Sequence, residues 1–107
     1  MISLNKGDAL VALACDFVSF LASRSYMGRH RVRNIMLYGS VVRGDSNEKS
    51  DIDIFINLNG PEDKAKAELK VVVDEFYSSV WFSKWKRFGV KNRLSCLAGR
   101  LEEWKDL

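Results

Sequence analysis

A chain of 107 residues, 47% of them apolar, suits one folded domain with a real core, and a single domain over residues 1–107 is expected. Seventeen Lys and Arg against fourteen Asp and Glu leave a net charge of +3, which suits a polyanionic ligand but is milder than a nucleic-acid-binding surface usually carries. The cysteines, Cys15 and Cys96, lie far apart in apolar surroundings, so reduced thiols in the core of an intracellular protein are expected rather than a disulfide framework or a zinc site.

From about Ser3 to Ser25, Leu10, Leu13, Phe17, Phe20 and Leu21 recur at helical spacing, with Ser3 or Asn5 as the N-cap. Asp8 and Asp16 within this helix, and the lack of a basic start, argue against a signal peptide. No apolar run reaches the roughly eighteen residues a membrane span requires, so a cytoplasmic protein without a membrane partner is expected. The basic segment "GRHRVRN" reads as a connector with His30 at the surface, and "NIMLY" reads as a buried strand ending at Gly39. Ser40 to Arg43 has room for one helical turn, stopped by Gly44 where a left-handed residue is needed. "DSNEKS" is a polar loop.

In "DIDIFINL" the side chains alternate, sending Ile52 and Ile54 to one face of a strand and Asp51, Asp53 and Phe55 to the other. After Asn59-Gly60, Pro61 with Glu62 and Asp63 in the first turn opens a helix. Leu69, Val72, Val73, Phe76 and Val80 form its first apolar stripe, and Tyr77, Trp81, Trp85 and Phe88 a second, displaced one. That displacement fits either a long helix buried on two faces or a break near Ser78-Ser79. "RLSCLA" reads as a third strand and "GRLEEW" as a terminal helical turn, so the order predicts an α/β (α+β) domain on a small mixed sheet flanked by helices.

Side chains two apart on a strand share a face, so Asp51 and Asp53 present paired carboxylates. Such a pair resists burial unless a cation offsets it, and its hard oxygens suit Mg²⁺, which completes its shell with water and phosphate oxygens. Gly39-Ser40 lies at a helix start, where backbone N–H groups and a hydroxyl can meet an anion, and Arg43 shares Ser40's helical face. Together these elements describe a site for metal-assisted phosphoryl or nucleotidyl transfer. For Arg43, a charge aimed at phosphate and a structural partnership with Asp45 weigh equally. The loop from Asp45 fails as a calcium site, having Ser50 at the sixth position and Ile56 at the twelfth where glycine and glutamate are required. Neither a P-loop nor a dinucleotide fingerprint occurs.

The stretch "GSVVRGDSNEKSDIDIFI" resembles the Gly-Ser, Arg-Gly, Ser-Asp-x-Asp signature of the DNA polymerase beta-like nucleotidyltransferase superfamily, and the short chain resembles its minimal nucleotidyltransferases. The resemblance implies the nucleotidyltransferase fold, with Gly39, Ser40, Arg43 and Ser50 at the nucleotide, and Asp51 and Asp53 as catalytic ligands of two Mg²⁺ ions. It further implies transfer of a nucleoside monophosphate, AMP from ATP, to a hydroxyl of a partner protein, with an antitoxin role toward a HEPN-domain toxin as one form. Homo-oligomerisation is the alternative association, and nucleic acid is the less favoured partner. Relatives of this kind commonly supply a third carboxylate from the next strand, where this chain has Arg93 or Ser95; Glu102 and Glu103 come only later. A catalytically degenerate nucleotide- or protein-binding domain is therefore the rival reading. Trp81, Trp85 and Phe88 among Lys84, Lys86 and Arg87 suit a protein contact better than RNA stacking.

Overall fold

The computed structural model describes residues 5–103. Helix α1 (Lys6–Ser23) is capped by Asn5, whose side chain accepts the Asp8 N–H at 2.8 Å; Ser3, the other candidate cap, lies outside the described residues. A short helix α2 (Tyr26–Arg29) occupies the segment predicted as a connector, and strand β1 (Val32–Tyr38) starts two residues earlier than "NIMLY". The turn α3 (Ser40–Arg43) ends at Gly44 with φ 83°, as predicted. Strand β2 (Ile52–Leu58), helix α4 (Asp63–Tyr77), helix α5 (Val80–Arg87), strand β3 (Leu94–Gly99) and a 3₁₀ turn η1 (Leu101–Glu103) complete the order. Pro61 stands two residues ahead of α4 rather than in its first turn.

The sheet runs β1-β2-β3, with β1 antiparallel and β3 parallel to the central β2. Ile52, Ile54, Ile56 and Leu58 project from β2 into the core and meet Leu10, Leu13 and Phe17 of α1 and Leu69, Val72 and Phe76 of α4. The rings of Phe17 and Phe76 meet edge-on at 5.3 Å, a geometry that adds to their area burial. Phe55, on the opposite face with Asp53, is fully buried as well. Central strands buried on both faces read as continuous apolar runs, which is why the alternation fades after Ile54.

The helical break falls at Ser78-Ser79. Ser79 donates its hydroxyl to the Phe76 carbonyl at 2.6 Å and caps α5, so the second helix takes a new phase. In consequence Val80 and Phe88 are 79% and 74% exposed and Trp81 is exposed too, while Phe82 fills the core position. The two predicted stripes fail at these residues. Trp85 is held by its indole N–H, donated to Asp16 at 2.6 Å.

Three further expectations need correction. Cys15 is exposed on α1, and Cys96, half-buried on β3, has its thiol pushed up to about 12 by burial. His30 is not a surface residue: its ring packs on Tyr26 at 4.5 Å and its Nε2 meets the Glu68 carboxylate, which also pairs with Arg29. The His30 correction has its cause in α2, which folds back against α4 and covers a basic segment that sequence pattern alone leaves in solvent. Among the described residues, no helix is long and apolar enough to cross a membrane.

Candidate active site

Gly39 joins β1 to α3 with φ 77° and ψ −149°, a conformation that residues with a Cβ essentially avoid. The space beside it is taken. A Cβ built on Gly39 would lie 2.1 Å from Oδ2 of Asp53 and 3.1 Å from its Cγ, so the absent side chain is what lets the Asp53 carboxylate rest against the turn. Register explains the meeting, because Tyr38 pairs with Asp53 across the antiparallel ladder and Gly39 is the next residue. The Gly-Ser turn and the acidic strand thus form one site.

Asp53 is half-buried and Asp51 exposed. Burial first, then the charge of Asp51, push the Asp53 carboxyl above its usual range, while Arg43 pulls it down. Arg43 also holds Asp45 at 3.3 Å with both side chains largely exposed, the structural partnership that is one of its two readings. Tyr38, which sequence reasoning did not select, is Asp53's cross-strand neighbour; burial first and Asp53 second raise its hydroxyl above the usual value, which keeps it protonated at neutral pH. The Ser50 hydroxyl accepts the Asn47 N–H at 2.9 Å and so closes the loop ahead of Asp51.

On the other side of β2, Asp53 pairs with Ser95. Neighbours in register share a sheet face, so Ser95 occupies the strand position from which a third carboxylate would reach this site. The η1 turn with Glu102 and Glu103 follows Gly99, whose register partner is Asn57, about 13 Å along β2 from Asp53. It is tied there by the Leu101 N–H, donated to Asn57 Oδ1 at 2.9 Å. Among the described residues no cluster of three or more His, Cys, Asp or Glu is placed to hold a metal. Asp53 lies on β2 and Asp51 one residue ahead of the strand; backed by the glycine turn, this pair still fits a divalent cation whose remaining ligands come from phosphate and water.

A helix-backed mixed sheet that sets an acidic pair against a Gly-Ser turn defines a class of small α/β transferase. The sequence profile of the nucleotidyltransferase domain matches residues 15–97, from α1 through β3, and the chain belongs to that family. Nucleotidyl transfer from a nucleoside triphosphate, generally with a divalent metal, is the family's chemistry. Searches among curated proteins and among solved structures found no match.

Proposed function

We propose that this domain binds ATP with Mg²⁺ and transfers AMP to a hydroxyl of a partner protein in the cytoplasm. The observation that carries this reading is the close approach of the Asp53 carboxylate to Gly39, which sets a cation-seeking group beside the Gly-Ser turn. Gly39 and Ser40 would take the β- and γ-phosphates, with Arg43 and Ser50 beside them. Asp51 and Asp53 would hold the metal, which when bound neutralises charge on the triphosphate and lowers the pKa of the acceptor hydroxyl. Asp53, half-buried and kept close to the turn, orients the phosphate chain. Asp51 is exposed, so an arriving acceptor can reach it.

A protein acceptor is supported by the apolar surface that α5 leaves bare: Val80, Trp81 and Phe88 stand exposed beside Lys84 and Arg87. A HEPN-type toxin is the partner class suggested by the minimal nucleotidyltransferases the chain resembles, with this domain as antitoxin. A second reading, a degenerate domain that binds nucleotide or partner without turnover, is favoured by Ser95 in register with Asp53. Loss of a third carboxylate weakens the ion that activates the acceptor more than the ion that accompanies the triphosphate.

Labelled ATP, Mg²⁺ and the product of the neighbouring gene separate the two readings. Label on the neighbour, absent with Asp53→Asn, is the expected outcome; ATP binding without label on any acceptor would leave the degenerate reading standing. A companion variant probes the weak point directly. Ser95→Asp should tighten Mn²⁺ binding in calorimetry and raise the transfer rate several-fold, because it returns a hard oxygen ligand to the register position beside Asp53.

A further inference from the structure

Asp51 stands one residue ahead of β2, outside the regular ladder. Its position therefore depends on what holds the chain on either side of it. On the downstream side the Ile52 N–H donates to the Arg93 carbonyl at 2.8 Å. Upstream, residues 47–50 form a tight turn: the Ser50 N–H donates to the Asn47 carbonyl at 3.1 Å, and the Lys49 N–H donates to Asn47 Oδ1 at 2.8 Å. These bonds close the turn on itself and leave Asn47, Glu48 and Lys49 exposed. They do not tie it to the body of the domain.

Asn92 does. This residue lies in the segment between α5 and β3, flanked by exposed Lys91 and Arg93, yet is only 4% exposed. Its Nδ2 donates one hydrogen to the Asn47 carbonyl at 3.0 Å and the other to the Ser50 carbonyl at 2.7 Å, the first and last residues of the turn. The amide orientation follows from chemistry, since a flipped group would set Oδ1 against two carbonyl oxygens. Oδ1 is buried and meets no donor among the described residues. The unmet acceptor offsets part of what the two bonds contribute to stability, so Asn92 is a costly way to support the fold alone.

We propose that Asn92 is a positioning residue for the metal-binding acids: its two N–H groups clamp the 47–50 turn and thereby set the aim of Asp51. The inference rests on the reading of Asp51 and Asp53 as metal ligands. Ser50 contributes its carbonyl to the clamp and its hydroxyl to the turn, so this serine acts on the site through the backbone. Neither Lys91 nor Arg93 replaces the clamp: Lys91 is exposed, and the Arg93 guanidinium lies over the Tyr77 ring at 4.2 Å.

The test separates a device for function from a support of the fold. Asn92→Leu removes both donors together with the unmet acceptor. Its melting temperature should stay close to that of the wild type, since the loss of two hydrogen bonds and of one unmet acceptor work against each other, while backbone amides of residues 48–51 exchange with solvent at least tenfold faster. Mn²⁺ affinity, measured by calorimetry with a non-hydrolysable ATP analogue present, should fall about tenfold, the scale on which outer-shell partners act on a metal site. Unchanged Mn²⁺ affinity overturns the proposal, as does a loss of affinity accompanied by a matching loss of thermal stability. Should Asn92→Leu not fold, the isosteric Asn92→Asp carries the same comparison, and affinity at or above the wild-type level overturns the proposal there. Wild-type protein that binds no Mn²⁺ would instead sink the metal site and this inference with it, so the two failures are told apart.

Discussion

Gly39→Ala is expected to reduce nucleotidyl transfer to background and to lower stability by about 1–3 kcal/mol, the cost of holding a residue with a Cβ in a region of backbone space reserved for glycine. In a domain of this size that corresponds to a fall in melting temperature of roughly 4–8 °C per kcal/mol. Two independent strains act at the position. Backbone angles of 77° and −149° penalise any side chain, and the added methyl would sit 2.1 Å from the Asp53 carboxylate oxygen. Relief is available only by straightening the turn or by swinging Asp53 away, and either movement separates the acid from the Gly39 backbone. Transfer measured with labelled nucleotide, beside a thermal melt, checks both parts. Activity within twofold of wild type would mean that the contact between Gly39 and Asp53 has no part in the chemistry.

Asp53→Asn is expected to split function from stability in the opposite sense. Transfer should drop by about 10²–10³-fold or more, since Asp53 would hold the cation that neutralises developing charge in a phosphoryl site, and loss of such stabilisation has effects of that order. Thermal stability in metal-free buffer at pH 7 should nonetheless rise. The Asp53 carboxyl is held above its usual range by burial and by Asp51, with Arg43 opposing. An acid raised on folding adds stability while it is protonated, below its unfolded-state value, and loses that contribution as pH climbs through the raised value. At neutral pH the ionised Asp53 is therefore a burden on the metal-free fold, which the neutral amide of Asn removes. The advantage of the variant should shrink as pH falls to the ordinary carboxylate range, where Asp53 regains its proton. Scanning calorimetry in EDTA from pH 4 to 7 gives the answer, and a variant that melts below wild type at pH 7 would show that Asp53 supports the fold through a contact other than its charge. Such a conflict between charge and stability is common at functional sites, which keep residues that local rules disfavour.

The acidic strand was readable from sequence because its signal is local. Alternation marks the strand that carries Asp53, although Asp51 falls one residue ahead of β2, outside the ladder. Helix α1 and its Asn5 cap, the turn stopped by Gly44, the three strands and their mixed character follow from the same short-range rules. Errors fell where a residue's surroundings come from a distant part of the chain. Val80 and Phe88 looked apolar and core-bound, but the cap at Ser79 restarts the helical phase and turns them outward. His30 looked solvated, yet Glu68, thirty-eight positions on, covers it. Cys15 looked buried because its neighbours on α1 are apolar, whereas its own face of the helix points to solvent.

By itself, then, the order of residues determined which elements form and which strand carries Asp53, since both depend on periodicities shorter than ten residues. Only the tertiary structure decided what the acids stand beside. Antiparallel register delivered Tyr38 and Gly39 to Asp53, parallel register set Ser95 where another carboxylate would stand, and a crossover through α4 and α5 brought Asn92 back to the loop ahead of Asp51. The physical reason is that strand pairing and burial couple positions forty residues apart through hydrogen bonds and packing, and no local pattern encodes which partner a buried amide or a ladder position will meet.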